Sequence, residues 1–290
     1  MLFRSFGNRG IYHKGWTAVT KHRTPWDTGV ANLVAFDDDN WELYDTNTDW
    51  SQAKNLAREQ PAKLKELQRL WLIEAVKYNV LPLDDRMMER GDSERAGRPQ
   101  LIKGTRQLLF GGMGRLTESS IVNTHNKSYS VTAELIVDAR PEGVIVALGG
   151  ITGGFSLYCK GGKVKFGYNF FGLQTYTIEG KDVIPAGQHQ VRMEFAYDGG
   201  GVAKGGNVTL YVDGKQSGQG RVEQTEPQLF SADETCDIGN DFGSAVTADY
   251  GSRKFNGTVS WVEIDLGADA EDANHLISPQ ERLHIAMALQ

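Results

Sequence analysis

Acidic and amide side chains between residues 233 and 241 have the types and spacing that could bind calcium. Carboxylate and amide oxygens are the hard ligands that this ion prefers. They are concentrated here in one short stretch: Asp233, Glu234, Asp237, Asn240 and Asp241. Asp237 and Asp241 are the candidate metal ligands. The spacing matches no specific calcium-binding loop, which favours the alternative of a solvated acidic turn.

The densest group of aromatic side chains lies between residues 168 and 176. Aromatic faces on the rim of a β-protein can stack on sugar rings, and Asn169 and Gln174 lie close by in the sequence. The candidate sugar-binding residues are Tyr168, Phe170, Phe171 and Tyr176. The alternative is that these rings fill the core between two sheets, because aromatic side chains bury large areas and usually dominate cores.

Neither cysteine stands in a sequence that indicates a catalytic thiol or a metal site. Cys159 and Cys236 are far apart, and no close Cys/His cluster surrounds either of them. They could form a disulfide or remain two buried thiols. The histidines beyond residue 100 are scattered without the spacing of metal ligands. The sequence therefore predicts no catalytic residue and no metal site built on cysteine or histidine.

Composition and charge narrow the class of partner. The net charge of the 290 residues is -6, and no long basic run is present, which argues against a nucleic-acid partner. Hydrophobic residues make up 40% of the chain, but no apolar run approaches the roughly 20 residues of a membrane helix. We therefore expect a soluble protein with no membrane partner. No signal peptide is recognised, and a periplasmic, secreted or cytoplasmic location stays open.

The candidate residues must be positioned by two different kinds of domain. Residues 11–50 have β character, with strands predicted at 17–20, 30–36 and 41–44 in a small antiparallel sheet. A helix is predicted over residues 60–79, where Pro61 fits the first turn and an apolar stripe should cover one face of the sheet. The stripe consists of Leu64, Leu67, Trp71, Ala75 and Tyr78.

Beyond residue 100 the pattern is that of many short antiparallel strands. Apolar residues alternate with mostly polar ones such as Arg192, and glycine turns are predicted at 161–162 and 213–214. The expected fold class is α+β, with an all-β jelly-roll sandwich as the second part and a short C-terminal helix opened by a capping box at Ser278. The predicted domains are 1–86, a linker at 87–103, a sandwich at 104–267 and a helical tail at 268–290.

Four ordered stretches in the first domain resemble the C-terminal subdomain of bacterial arylsulfatases. They are GNRGIYHKGW at 7–16, WELYD at 41–45, NLA at 55–57 and KYNVLPLDDR at 77–86. Residues 100–290 are similar to the appended domain of larger family members, and the strand that ends in Asp213-Gly214 resembles one in laminin-G or concanavalin-like sandwiches. Residues 1–5 fit no family pattern, and we interpret them as an adapter-encoded sequence.

The resemblance implies a sulfuric ester hydrolase that uses a formylglycine beside a bound calcium. Formylglycine is made from Cys or Ser in a Cys/Ser-x-Pro-x-Arg motif, which this sequence lacks. The chain is therefore expected to be inactive by itself, with the missing sulfatase catalytic domain and a sulfated small molecule or glycan as partners of the intact enzyme. By resemblance, His13, Lys14 and His22 pass near the cleft and are candidate substrate-proximal residues.

Further expectations concern the surface and the alternatives. Because the small sheet would pack against the absent domain, an exposed apolar patch is predicted around residues 11–45. The rival function is a stand-alone lectin-like carbohydrate-binding protein. A third alternative is a split enzyme whose catalytic half is encoded separately.

Overall fold

The computed structural model describes residues 2–5, 7–24, 34–86, 97, 99, 101–138, 140–266, 277, 280 and 287. The chain forms two compact units, residues 1–90 (the N-terminal unit) and residues 91–290 (the C-terminal unit). None of the described helices has the length and hydropathy of a membrane-spanning segment. Most of the predicted linker at 87–103 and of the predicted C-terminal helix at 268–290 lies outside the described residues.

The N-terminal unit contains a four-stranded antiparallel sheet, called sheet 1, among its described residues. Its strands lie in the order β1-β2-β3-β4, with the bounds β1 Leu2–Ser5, β2 Asn8–His13, β3 Trp16–Thr20 and β4 Trp41–Asp45. The turn between β2 and β3 consists of Lys14 and Gly15, both with positive φ. Gly15 is required there, because a Cβ at this position would lie 2.0 Å from the side chain of Asn47.

The sequence predicts a strand at 30–36, but the described part of that segment does not form one. Residues 30–33 lie outside the described residues, and Phe36–Asp38 forms a 3-10 helix. The reason is local: the aspartates that follow Phe36 favour turns over extended pairing. β4 therefore pairs directly with β3, through the register Ala18 to Leu43.

Helix α1, Pro61–Lys77, covers one face of sheet 1, as the sequence predicts. Its buried residues Leu67, Trp71 and Ala75 form one core with sheet residues, among them Ile11 and Leu43.

Tyr78 was expected on this stripe but is exposed, because the helix ends just before it. Asn79 adopts a positive φ, its amide bonds to Val76 O, and the amide of Val80 bonds to Ala75 O at 2.8 Å. This is a Schellman termination, in which the buried Val80 takes the place expected for Tyr78.

The C-terminal unit is a β-sandwich of two six-stranded antiparallel sheets among its described residues. Sheet 2 has the order β14-β13-β12-β7-β16-β5, and sheet 3 has the order β11-β10-β9-β8-β15-β6. The strands are β5 Arg106–Phe110, β6 Leu116–Thr117, β7 Tyr129–Val137, β8 Gly143–Gly150, β9 Gly153–Lys160, β10 Lys163–Phe170, β11 Gln174–Val183, β12 Gly187–Tyr197, β13 Gly206–Val212, β14 Lys215–Val222, β15 Thr235–Ile238 and β16 Thr258–Asp265. This arrangement is consistent with a jelly-roll-like fold.

The alternating apolar residues fill the space between sheets 2 and 3. Val131, Ala133 and Leu135 of β7 are completely buried in this core, as predicted. Arg192 departs from the prediction, since it belongs to the face expected to be solvated and yet is only 1% exposed. Its guanidinium donates to Glu194 Oε1 at 2.8 Å and to Thr132 Oγ1 at 3.2 Å. An ion pair and a cross-strand hydrogen bond thus offset the cost of burying this charge.

The predicted apolar patch around residues 11–45 is not the most exposed apolar surface of the N-terminal unit. Among the described large apolar side chains of residues 11–45, only Tyr12 and Val34 are exposed. The outer side of α1 instead exposes Leu72, Ile73 and Val76. Val76 lies one helical turn beyond the other two, so the three side chains are neighbours on the helix surface. We call these three residues the α1 face.

Candidate functional site

The N-terminal unit contains a buried network of charged side chains. The carboxylate of Asp39 accepts a hydrogen bond from a guanidinium nitrogen of Arg9 and contacts Nδ1 of His22 at 2.9 Å. The other ring nitrogen of His22, Nε2, lies 3.2 Å from Asp85 Oδ2. The side chain of His22 is completely buried and that of Asp39 nearly so. The charges of Arg9 and Asp39 are therefore removed from water and balance each other, and His22 contacts an acidic side chain through each ring nitrogen.

Backbone contacts fix the position of His22 in this network. The side-chain oxygen of Asn8 accepts the backbone N–H of His22 at 2.8 Å and that of Arg23 at 3.0 Å. The side-chain amide of Asn8 donates in return to Arg23 O at 2.7 Å. Arg23 also donates to the backbone oxygen of Asp85 at 3.1 Å. The segment after β3 is thereby held to the start of β2 and to the segment that follows α1.

Aromatic rings surround the guanidinium of Arg9. Its carbon atom lies 5.4 Å from the ring centre of Trp41, 5.5 Å from that of Phe36 and 5.9 Å from that of Trp71. Phe36 also stacks on His22 at 4.3 Å. Cation–π attraction strengthens when water is excluded, so these rings stabilise the buried charge as well as covering it.

The network and its neighbours join the four stretches that resemble arylsulfatases. Asn8 and Arg9 come from the first stretch, Trp41 from the second and Asp85 from the fourth. The third stretch contributes Asn55, whose side-chain oxygen accepts the backbone N–H of Leu43 at 3.1 Å. Sequence reasoning missed the role of Asp39, which reads only as part of an acidic turn.

The candidate substrate-proximal residues do not form one site within this unit. Lys14 is exposed in the turn at one end of β2, and His13 is partly exposed beside it. His22 lies beyond the opposite end, since Arg9 pairs with Thr20 there, and both of its ring nitrogens are engaged with carboxylates. The structure thus places Lys14 and His13 together at the turn and His22 in the buried network, while their proximity to a substrate stays a prediction.

The candidate sugar-binding rings are divided between the core and the surface. Tyr168 and Tyr176 are buried between the sheets, and Phe170 packs partly against that core. Phe171 alone of the four is exposed, at 42%, because β10 ends at Phe170 and Phe171 lies in the following turn. This corrects the expectation of four rings on one rim.

Two further apolar side chains lie in the neighbouring turns. Ile151, between β8 and β9, is 65% exposed, and Leu173, between β10 and β11, is 82% exposed. The buried side chain of Asn169 ties these turns together, donating to Ile151 O at 3.0 Å and accepting the N–H of Gly172 at 2.9 Å. We call Ile151, Phe171 and Leu173 the apolar rim. Their signal in the sequence is an apolar residue within a glycine-rich turn, where polar residues are usual.

The acidic segment is divided: Asp233 is exposed and Glu234 and Asn240 are partly exposed, but the two candidate metal ligands are buried, not solvated. Asp237 and Asp241 are both nearly inaccessible. Burial raises the pKa of Asp241 to about 6, against the lowering effect of Arg253. Asp237 accepts the backbone N–H of Arg115 at 2.5 Å and that of Phe242 at 3.1 Å.

This geometry does not fit a calcium ion. The carboxylate oxygens of Asp237 face N–H donors, whereas a calcium ligand turns its oxygens toward the ion. Within the described residues no group of three or more His, Cys, Asp or Glu side chains could hold a metal. Asp237 therefore joins the segment at Arg115 to the residues that follow β15.

Cys159 and Cys236 are separate, buried thiols. Burial raises the pKa of Cys159 to about 12 and raises that of Cys236 as well. A thiol kept protonated in an apolar core is inert toward oxidation and metals. Neither position therefore fits a formylglycine, which must face substrate.

Comparisons with known proteins identify no family. No family model matches the chain, and no curated protein matches it. Solved structures with similar strands include the native heptameric SAP-like pentraxin from Limulus polyphemus, at 16% identity, TM-score 0.32 and coverage of 56% of this chain and 73% of that one.

Two other solved structures show the same level of similarity. The LG1-3 region of the laminin alpha2 chain has 12% identity, TM-score 0.37 and coverage of 56% of this chain and 30% of that one. The Ruminococcus gnavus IT-sialidase CBM40 bound to alpha2,3 sialyllactose has 12% identity, TM-score 0.37 and coverage of 63% and 98%. Values this low carry no argument about function, and the β-sandwich is established by the strand pairing itself.

The buried network predicts that substitution of Asp39 destabilises the N-terminal unit, whereas substitution of the two preceding aspartates does not. Replacing Asp39 by Ala should destabilise the N-terminal unit by about 3–5 kcal/mol, because Arg9 and His22 would lose their buried anion. Asp37→Ala and Asp38→Ala, in the same 3-10 helix but exposed, should stay within about 0.5 kcal/mol. Urea unfolding followed by tryptophan fluorescence measures this, since five of the six tryptophans belong to residues 1–90. Equal effects at the three aspartates would contradict the network's role.

Proposed function

We propose that this chain is the C-terminal, non-catalytic portion of an arylsulfatase-type sulfuric ester hydrolase. The observation that carries the proposal is the meeting of three of the four arylsulfatase-like stretches around Asp39 and its partners, while the stretch at 55–57 is joined to the second stretch through Asn55 and Leu43. Stretches that matched by chance would have no reason to share a buried network. The proposal also accounts for the absence of a Cys/Ser-x-Pro-x-Arg motif from the sequence.

The role of the chain in such an enzyme is structural and positional. In the family, formylglycine supplies the nucleophile for the sulfur atom and calcium supplies positive charge, and the residues of this chain fit neither group. Its own residues would form a rigid wall beside the cleft, because the Asp39 network orients the segments that follow β3 and α1. Lys14, exposed in the turn after β2, could contact the non-sulfated part of a substrate.

The α1 face is the surface we assign to contact with the catalytic domain. Leu72, Ile73 and Val76 are exposed although the opposite side of α1 already packs against sheet 1. The outward side of α1 carries Lys65 and Arg69 in its first half and the three apolar residues in its second half. An exposed apolar patch of this kind is typical of a surface that a partner covers. The face therefore fits a partner within the same enzyme better than it fits water.

Complementation of a truncated enzyme tests the proposal. The chain should be mixed with an arylsulfatase catalytic half that contains the formylglycine motif but lacks its own C-terminal subdomain. Neither part alone should hydrolyse 4-nitrophenyl sulfate, whereas the mixture should. Val76→Glu should reduce the restored rate by about tenfold or more, equivalent to about 1.4 kcal/mol of association.

A matched control is the same substitution at an exposed valine outside α1. Val34 lies just before the 3-10 helix, so Val34→Glu should leave complementation unchanged. Hydrolysis by the isolated chain, or a mixture no more active than the catalytic half, would contradict the proposal.

Carbohydrate binding by the sandwich is a second candidate, favoured by the exposed ring of Phe171. The ring is held on a turn tied down by Asn169 and lies beside Ile151 and Leu173, so it is available for stacking. On an array of neutral and acidic glycans, Phe171→Ala should weaken binding by about tenfold. Tyr12→Ala, at an exposed aromatic residue of the other unit, should have no effect. An array without any bound glycan would exclude this candidate without affecting the first.

A further inference from the structure

The turn that presents Phe171 has a conformation that needs support. Phe171 has a φ of +51°, in the left-handed region that bulky residues rarely adopt. Its backbone N–H donates to Glu226 Oε1 at 2.7 Å. Such backbone conformations persist where neighbouring contacts fix them. The hydrogen bond to Glu226 is therefore one of the contacts that hold the turn, together with the bond from the Gly172 N–H to Asn169, and it is the one made by Phe171 itself.

Glu226 is completely buried and enclosed by the surrounding chain. Its backbone N–H donates to Tyr168 Oη at 2.8 Å, and its backbone oxygen contacts His125 Nδ1 at 2.8 Å. Gly153 leaves room for the carboxyl group, since a Cβ there would lie 1.9 Å from Glu226 Oε1. The side chain thus occupies a close-fitting cradle.

The cradle is suited to an uncharged carboxylic acid. Phe171 supplies an N–H donor to Oε1, while Oε2 is buried without a hydrogen-bonding partner. Glu226 also lines a cavity of about 10 Å³, together with Tyr129 and Phe230. A buried carboxylate is stabilised by several donors or by a cation. Geometry alone therefore disfavours the ionised form of Glu226.

The titratable groups that face Glu226 do not offset this cost. Tyr129 and Tyr168 line the same cavity as neutral phenols, and Glu118 is a second acid nearby. His125 lies at the cavity too, but its Nε2 is engaged by Glu118 Oε1 at 2.7 Å and its Nδ1 by the backbone of Glu226. Burial raises the pKa of Glu226 to about 8. The N–H of Phe171 acts in the opposite direction, because it also stabilises the ionised carboxylate, but burial is the larger effect and Glu118 adds to it.

We propose that Glu226 is a protonation-dependent pin for the apolar rim: as an uncharged acid it holds the turn at Phe171, and its deprotonation releases that turn. The direction of the pH dependence follows from the difference in the pKa of Glu226 between the closed and the opened turn. An opened turn exposes a carboxyl with an ordinary pKa near 4.5, whereas the closed turn keeps it protonated up to about pH 8. The pin is fully effective below pH 4.5, weakens as pH rises toward 8, and then reaches a plateau. This inference does not depend on the proposed function.

Amide hydrogen exchange tests the pin in the intact chain. After correction for the intrinsic exchange rate, the protection of the Phe171 amide should fall between pH 5 and 8, by up to about tenfold per pH unit, and level off above pH 8. Gly162 is an internal control in another turn, because its N–H donates to Pro141 O, which does not titrate. Its protection should stay constant.

Glu226→Gln is the matched variant, since its side chain has the shape of the uncharged acid and can still accept the Phe171 N–H. It should abolish the pH dependence at Phe171. A flat profile in the unsubstituted chain, or a slope that persists in Glu226→Gln, would overturn the proposal. A carbon-13 titration of the Glu226 carboxyl needs no variant, and a midpoint near 8 supports the pin whereas a midpoint below 5 excludes it.

Discussion

The carboxylate of Asp39 is the group on which the N-terminal unit depends, because it joins parts of the chain that no hydrophobic contact would align. Arg9 and His22 reach it from the two arms of a hairpin, at its open end, and His22 continues the chain of contacts to Asp85. Buried ion pairs add little net stability compared with apolar packing, but they allow only one arrangement of their partners. The core of Leu43, Leu67 and Trp71 drives the folding of this unit. The network decides how its loops are placed.

The C-terminal unit is built on a different principle. Its two sheets are held by a large apolar core, and its chemistry lies at the ends of strands, where Phe171 and Ile151 are exposed. Two acidic side chains of this unit, Glu226 and Asp237, are buried. A rigid scaffold with function in its loops is the usual division of labour in β-sandwiches. The apolar rim and its buried acid fit that division.

The sequence predicts those features that depend on neighbours along the chain. The period of Leu67, Trp71 and Ala75 correctly predicts α1 and its contact with sheet 1, and the alternation of Val131 and Ala133 predicts a strand facing the core. The features that the sequence does not predict depend on contacts between residues far apart in the chain. Asp39 and Arg9 are 30 residues apart and Phe171 and Glu226 are 55 apart, so no local pattern marks either pair. Tyr168 and Phe171 differ in burial only because a strand ends between them, and strand ends are the least predictable boundaries from sequence.

The measurement that tests the account most directly is a domain exchange in a complete arylsulfatase. Residues 7–86 of this chain would replace the corresponding C-terminal subdomain, so that the four stretches and the Asp39 network must work inside a functioning enzyme. The account predicts that the hybrid folds and retains aryl sulfate hydrolysis. A hybrid that folds with an intact formylglycine but hydrolyses no aryl sulfate would contradict it.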